Sequence, residues 1–247
     1  MKIANGVEML EIHVMSPRGP MVLNPTLIYD GNSAILVDAG MPGQSQLIVE
    51  AMSKAGVAPS QLQAIILTHQ DLDHIGGAPE IIQAAGKSLP IYAHKLDQPY
   101  MEGKLPLVKA NPERMAKLLS HLPEEELRQA LEVFQNPPKV PVDQLLEDGQ
   151  VLPVFGGIQV IFTPGHTPGH ISLYLQESKT LIAADAMVSS AGKLHGPVEQ
   201  NTPDMETAVR SLSKFLELDI ENVICYHGGL SQSNIREQLL ILTQGSN

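Results

Sequence analysis

The chain has 247 residues, 43% hydrophobic and 17% charged, which supplies the core of one large domain and excludes a disordered tail or a fibrous protein. Its 16 basic and 27 acidic residues leave a formal charge of −11, with no Trp and 4% aromatics, so a phosphate backbone is repelled, base stacking lacks material, and no nucleic-acid partner is expected. The single Cys225, an N-terminus broken by Asn5, Glu8 and Glu11, and apolar runs as short as 64–67 and 160–162 predict a cytoplasmic chain without an export signal or membrane span.

Residues 7–15 and 21–29 read as two strands of a hairpin, separated by the breaker run 16–20. A buried strand, 34–37, ends at Asp38. Leu47, Ile48, Ala51, Met52 and Ala55 then share one face of a helix over 44–55, closed by Gly56. Strand 64–68 runs into His69-Gln70-Asp71-Leu72-Asp73-His74 and a helix over 77–85. Between 95 and 148 prolines punctuate two short helical patterns, around 115–122 and 127–134. The second opens with Pro123 and three glutamates, good chemistry for a helix start. We read this segment as an inserted helical hairpin within a single domain of residues 1–247. Strands 151–154, 158–163, 170–176 and 180–184 follow, then a helix over 203–218, a strand over 222–226 and a helix over 234–242. Helices follow strands in both halves, which predicts two sheets covered by helices on their outer faces.

The hexapeptide from His69 to His74 places four residues of metal-ligating type in six positions directly after a strand. His166, Asp185 and His227 each stand near the end of an apolar strand. Strand ends on one edge of a sheet converge, so these side chains are candidates for one site. His170 begins a strand and is read as structural, as are His13, His94 and His121. His195, in the stretch 192–197, is a substrate candidate. Cys225 lies within a strand and is read as buried and inert.

In order and in residue type these motifs resemble the metallo-β-lactamase fold superfamily, whose signature is H-x-H-x-D-H followed by a His, an Asp and a last His, and the resemblance covers nearly the whole chain. It implies an α/β fold, a four-layer αβ/βα sandwich of two mixed sheets flanked by helices, with a dinuclear metal site at one edge. By that resemblance His69, Asp71 and His166 hold one divalent cation, Asp73, His74 and His227 a second, and Asp185 bridges them. Asp38 supports the site from behind. The chain departs from the signature at Asp71, giving an H-x-D-x-D-H variant. Zinc is favoured on affinity grounds, and the harder carboxylate admits manganese or iron. The added negative charge implies that the activated water is less acidic than in the all-histidine arrangement.

The resemblance further implies hydrolysis by a metal-bound water or hydroxide, with Asp73 as the catalytic residue that orients the water or carries its proton. The expected substrate is a small ester, lactone, thioester or phosphodiester. Val188 stands three residues after Asp185, where acyl-homoserine-lactone lactonases often carry Tyr, and no counterpart of the glutathione-contacting segment of glyoxalase II is visible. Two other classes stay open. A flavodiiron-like redox protein would carry Glu where this chain has Asp71, and a flavin domain for which the roughly twenty residues after His227 leave no room. The other is a non-catalytic metal-binding module. The insert stands where relatives build a cavity wall or a dimer contact, so a homodimer is compatible with it.

Overall fold

Alternation along the strands decides which face of each sheet meets its partner sheet and which meets helices. The computed structural model describes residues 1–16, 19–110 and 112–244; Pro17 and Arg18 of the expected breaker run lie outside them. In chain order the first half contains β1 (Lys2–Ala4), β2 (Val7–Met9), β3 (Ile12–Ser16), β4 (Gly19–Leu23), β5 (Thr26–Tyr29), β6 (Ala34–Val37), α1 (Ser45–Lys54), β7 (Leu62–Ile66), α2 (Leu72–Ile75), α3 (Ala78–Ala85) and β8 (Ile91–His94). Helices α4 (Gln98–Met101), α5 (Pro112–Leu118) and α6 (Glu124–Gln135) precede β9 (Gln144–Leu146). The second half contains β10 (Val151–Leu152), β11 (Ile158–Phe162), β12 (Ile171–Leu175), β13 (Thr180–Ala184), β14 (Val188–Ser190), β15 (Lys193–His195), α7 (Met205–Ser211), β16 (Asn222–Cys225), β17 (Gly229–Ser231) and α8 (Ile235–Gln244).

One sheet runs β1-β2-β5-β6-β7-β8-β9 and the other β10-β11-β12-β13-β16-β17. On β6, Ile35 and Val37 join Ile182 of β13 and Ile224 of β16 in the core between the sheets. The intervening Ala34 and Leu36 pack outward with Ile48 and Met52 of α1 and Ile81 of α3. Leu181, Ala183, Val223 and the buried Cys225 face outward from the second sheet onto Leu212, Phe215, Ile235 and Leu239. A period of two on each strand thus gives the expected order of layers, helix, sheet, sheet, helix.

The strand boundaries differ from expectation near the N-terminus. Each of the expected strands 7–15 and 21–29 is two strands: β2 pairs β5 in the large sheet, while β3 and β4 form a separate ribbon. The corner falls at Leu10 and Pro25, where Leu10 N donates to Pro25 O at 2.8 Å and the proline has no N–H with which to continue a ladder. Residues 188–195, where no strand is expected, form the hairpin β14–β15. The expected helix 203–218 tightens to a 3₁₀ segment at Leu212–Glu217. Among the described residues no helix is long and apolar enough to cross a membrane.

Direction of travel places the site. β6, β7 and β8 are mutually parallel, as are β13 and β16. β11 runs the same way as β13, since both are antiparallel to β12. Their C-terminal ends therefore open on the edge where the candidate ligands lie.

Candidate metal centre

His69, Asp71, Asp73, His74, His166, Asp185 and His227 meet at that edge. The donor atoms of His69, Asp71, His166 and Asp185 lie within 4.8 Å of one another, and those of Asp73, His74 and His227 do likewise. Asp71 Oδ2 is 3.2 Å from His69 Nε2 and 3.1 Å from His166 Nε2. Asp73 Oδ2 is 3.2 Å from His227 Nε2 and 3.9 Å from His74 Nε2. Asp185 joins the two groups: Oδ2 stands 3.3 Å from His166 Nε2 and 3.4 Å from His227 Nε2, and Oδ1 stands 3.5 Å from His74 Nε2.

The imidazoles are aimed from behind. Asp38 adopts a left-handed φ of 63° at the end of β6, which turns its carboxylate onto the next strand. There it accepts Thr68 N at 2.9 Å and Thr68 Oγ1 at 2.8 Å, and faces His74 Nδ1 at 2.9 Å. A carboxylate at that nitrogen keeps the proton on Nδ1 and leaves Nε2 free to point at the cluster. Thr68, having spent its hydroxyl hydrogen on Asp38, accepts from His69 Nδ1 at 3.0 Å, with the same result. His170 is structural, as expected. Its Nδ1 meets Thr163 Oγ1 at 2.8 Å and its Nε2 accepts the amide of Asp185 at 3.2 Å. Ala184, just before Asp185, holds a φ of 50°, a conformation that costs a non-glycine residue about 1–3 kcal/mol and is kept here by those flanking contacts.

Burial removes water from these groups and makes them depend on one another. Burial raises the carboxyl of Asp71, but Lys109 foremost, with His69, holds it well below the usual range. Asp185 is held well below it, against burial, by His227 and His74. Burial depresses the imidazole of His227, yet Asp185 and Asp73 lift it to about 10. His74, against burial, is raised well above the usual value by Asp38, Asp185 and Asp73. His69 moves down instead, through burial and the neighbouring His74. His69 Nε2, His74 Nε2 and Asp185 Oδ1 are buried and make no hydrogen bond among the described residues. Orphaned polar atoms cost about 1–3 kcal/mol each. Imidazole nitrogens and carboxylate oxygens converging on one space are the donor set of a divalent cation, so these residues fit that group.

His195 lies exposed on β15 opposite Val188; among the described residues no hydrogen bond or ion pair joins it to the cluster. His94 is structural, its ring stacked on Phe162 with centroids 4.3 Å apart. Sequence reasoning missed three neighbours of the cluster. Tyr226 lays its ring on His74 with centroids 3.8 Å apart and donates its hydroxyl to the carbonyl of Asp73. Asp97, wholly buried just after β8, is visible to the same strand-end rule that selects Asp38. Lys109 donates to Asp71 Oδ2 and His166 Nε2, and nothing in its sequence context marks it.

Residues 18–227 match the family described as the metallo-beta-lactamase superfamily. The chain is 35% identical over 220 residues to the probable metallo-hydrolase YflN of Bacillus subtilis strain 168, across 84% of this chain and 80% of that protein. It is 30% identical over 201 residues to a hydroxyacylglutathione hydrolase of Xylella fastidiosa strain 9a5c, across 81% of this chain and 57% of that one. Among solved structures, a metallo-beta-lactamase family protein from Thermus thermophilus shares the fold with a TM-score of 0.70 at 22% identity, covering 98% of this chain and 79% of its own.

Proposed function

The chain belongs to the metallo-beta-lactamase superfamily and is a metal-dependent hydrolase, and we propose that it works with two divalent cations. His69, Asp71 and His166 hold the first, Asp73, His74 and His227 the second, and Asp185 lies between them. The observation that carries this reading is the set of orphaned atoms, His69 Nε2, His74 Nε2 and Asp185 Oδ1, facing one another in a buried cluster. Cations bound there supply Lewis acidity, which polarises a scissile bond and lowers the pKa of water toward ~7.

The chain's own residues do the rest. Asp38 and Thr68 fix the tautomers and ring planes of His74 and His69, so that little reorganisation is needed when substrate arrives. Asp73 is the group that orients water or carries its proton. Its side chain is 23% exposed, against 14% for Asp71 and 10% for Asp185, so it is the cluster carboxylate nearest to exchange with solvent. Likeness to a hydroxyacylglutathione hydrolase favours a thioester or another small acyl substrate among the ester, lactone, thioester and phosphodiester classes. Zinc suits the imidazoles; the carboxylate of Asp71 also suits manganese or iron.

Elemental analysis of the purified protein, followed by assays on those four substrate classes with each cation, tests the reading. Hydrolysis abolished by chelator and restored by divalent cation supports it. Iron with oxygen consumption and no hydrolysis would replace it with a redox centre, and full function in metal-free protein would replace it with a non-catalytic module.

A further inference from the structure

We propose that Lys109 is a built-in cation of the first site, so that the two sites load unequally: the second takes a divalent ion with no lysine to displace, whereas the first takes one only by displacing the lysine's ammonium. The inference rests on the metal-centre reading above and adds to it the order and strength of loading.

Lys109 Nζ donates to Asp71 Oδ2 and to His166 Nε2, two of the donor atoms that the first site would use. A lone pair cannot bind an ammonium and a metal ion together. The lysine is placed there by the fold. Its side chain is 14% exposed, and Leu107 before it is buried. Val108 N donates to Gln70 Oε1 at 2.8 Å, and Gln70 is itself fastened to Asp97 through its backbone and side-chain nitrogens, at 2.9 and 3.0 Å. The segment carrying Lys109 is therefore pinned to the residue between His69 and Asp71. Among the described residues it is the one Lys or Arg in ion-pair contact with the cluster. Asp73 pairs with His74 and His227, and among the described residues no lysine or arginine is an ion-pair partner of it.

Charge balance points the same way. The three cluster carboxylates, Asp71, Asp73 and Asp185, sum to −3, which one divalent ion together with one ammonium offsets. The departure at Asp71 then has a companion: an ammonium beside imidazoles alone would lack an anion, and the carboxylate supplies one. A lysine that remains near a loaded first site also repels the incoming ion. Charges of +1 and +2 about 6 Å apart repel enough, even at the dielectric of water, to weaken binding roughly tenfold.

Calorimetric titration of metal-free protein with Zn²⁺, and in parallel with Mn²⁺, tests this, with elemental analysis after desalting. The wild type should keep one equivalent on desalting and bind a second about tenfold or more weakly. Lys109→Met should tighten the second equivalent by about tenfold and leave the first unchanged, while Lys109→Arg should preserve the gap. In the Lys109→Met background, His69→Ala should remove the second equivalent and so locate it. Two equivalents of equal strength in the wild type, unchanged in Lys109→Met, would overturn the inference and leave the metal centre standing. No divalent ion bound by any of these proteins would overturn the metal centre itself.

Discussion

Asp185 is the residue on which both halves of the cluster depend. Its carboxylate reaches His74, His166 and His227 within 3.5 Å, so one side chain supplies negative charge to both groups. Asp185→Asn keeps the shape and the backbone bond to His170, but it removes the charge and turns one oxygen into a donor aimed at imidazole nitrogens. The variant is expected to fold and to lose most of its bound metal, measured by elemental analysis; full occupancy with full activity would contradict the assignment. Asp71→His changes the ligand type and the charge together. It removes one anion from the cluster and the acid partner of Lys109, so the activity profile is expected to move to lower pH, and an unmoved profile would count against the charge argument. Residues such as these are legible in sequence because ligand type and strand-end position coincide. Lys109 and Tyr226 are not, because their roles arise only from where distant loops pack.

At the scale of elements, Asp97 ties together the two loops that carry most of the cluster. It is fully buried and accepts Gln70 N at 2.9 Å, Gln70 Nε2 at 3.0 Å, Thr167 Oγ1 at 2.7 Å and Gly169 N at 2.7 Å. One carboxylate after β8 thus joins the turn after β7 to the β11–β12 loop. Gly169 permits the approach: a Cβ there would lie 2.5 Å from Asp97 N. Asp97→Ala strands these donors in a buried space, and a loss of about 3–5 kcal/mol is expected in denaturant unfolding. Asp97→Asn, which keeps one acceptor oxygen, should lose less. A change below about 1 kcal/mol in the alanine variant would show that the loops hold themselves. The same scale shows why part of the fold was hard to read. Long apolar stretches such as 34–37 and 180–184 declare themselves by composition, whereas β1, β9, β14, β15 and β17 are three residues each, too short for a period to register.

For the whole molecule, the same cluster makes stability depend on whether a cation is present. In metal-free protein the imidazoles of His227 and His74 are held protonated by the acids around them, against the cost of burial. For His227 the folded value is about 10 against an ordinary 6.5. A group raised on folding stabilises fully below its unfolded value, and that contribution is lost as pH climbs through the folded one. The depressed carboxyls of Asp71 and Asp185 act oppositely, contributing above the ordinary value of 3.8 and losing their contribution as pH falls below it. Metal-free protein should therefore lose thermal stability as pH rises from about 6.5 toward 10, and His227→Gln should lose less across that range. Coordination demands neutral imidazole, so loaded protein lacks this term and divalent binding should strengthen with pH as protons are expelled. Melting temperatures taken across the window, with chelator and with added cation, check both halves. A metal-free melting temperature that stayed level or rose would mean that the acids and imidazoles do not hold one another charged in the folded chain.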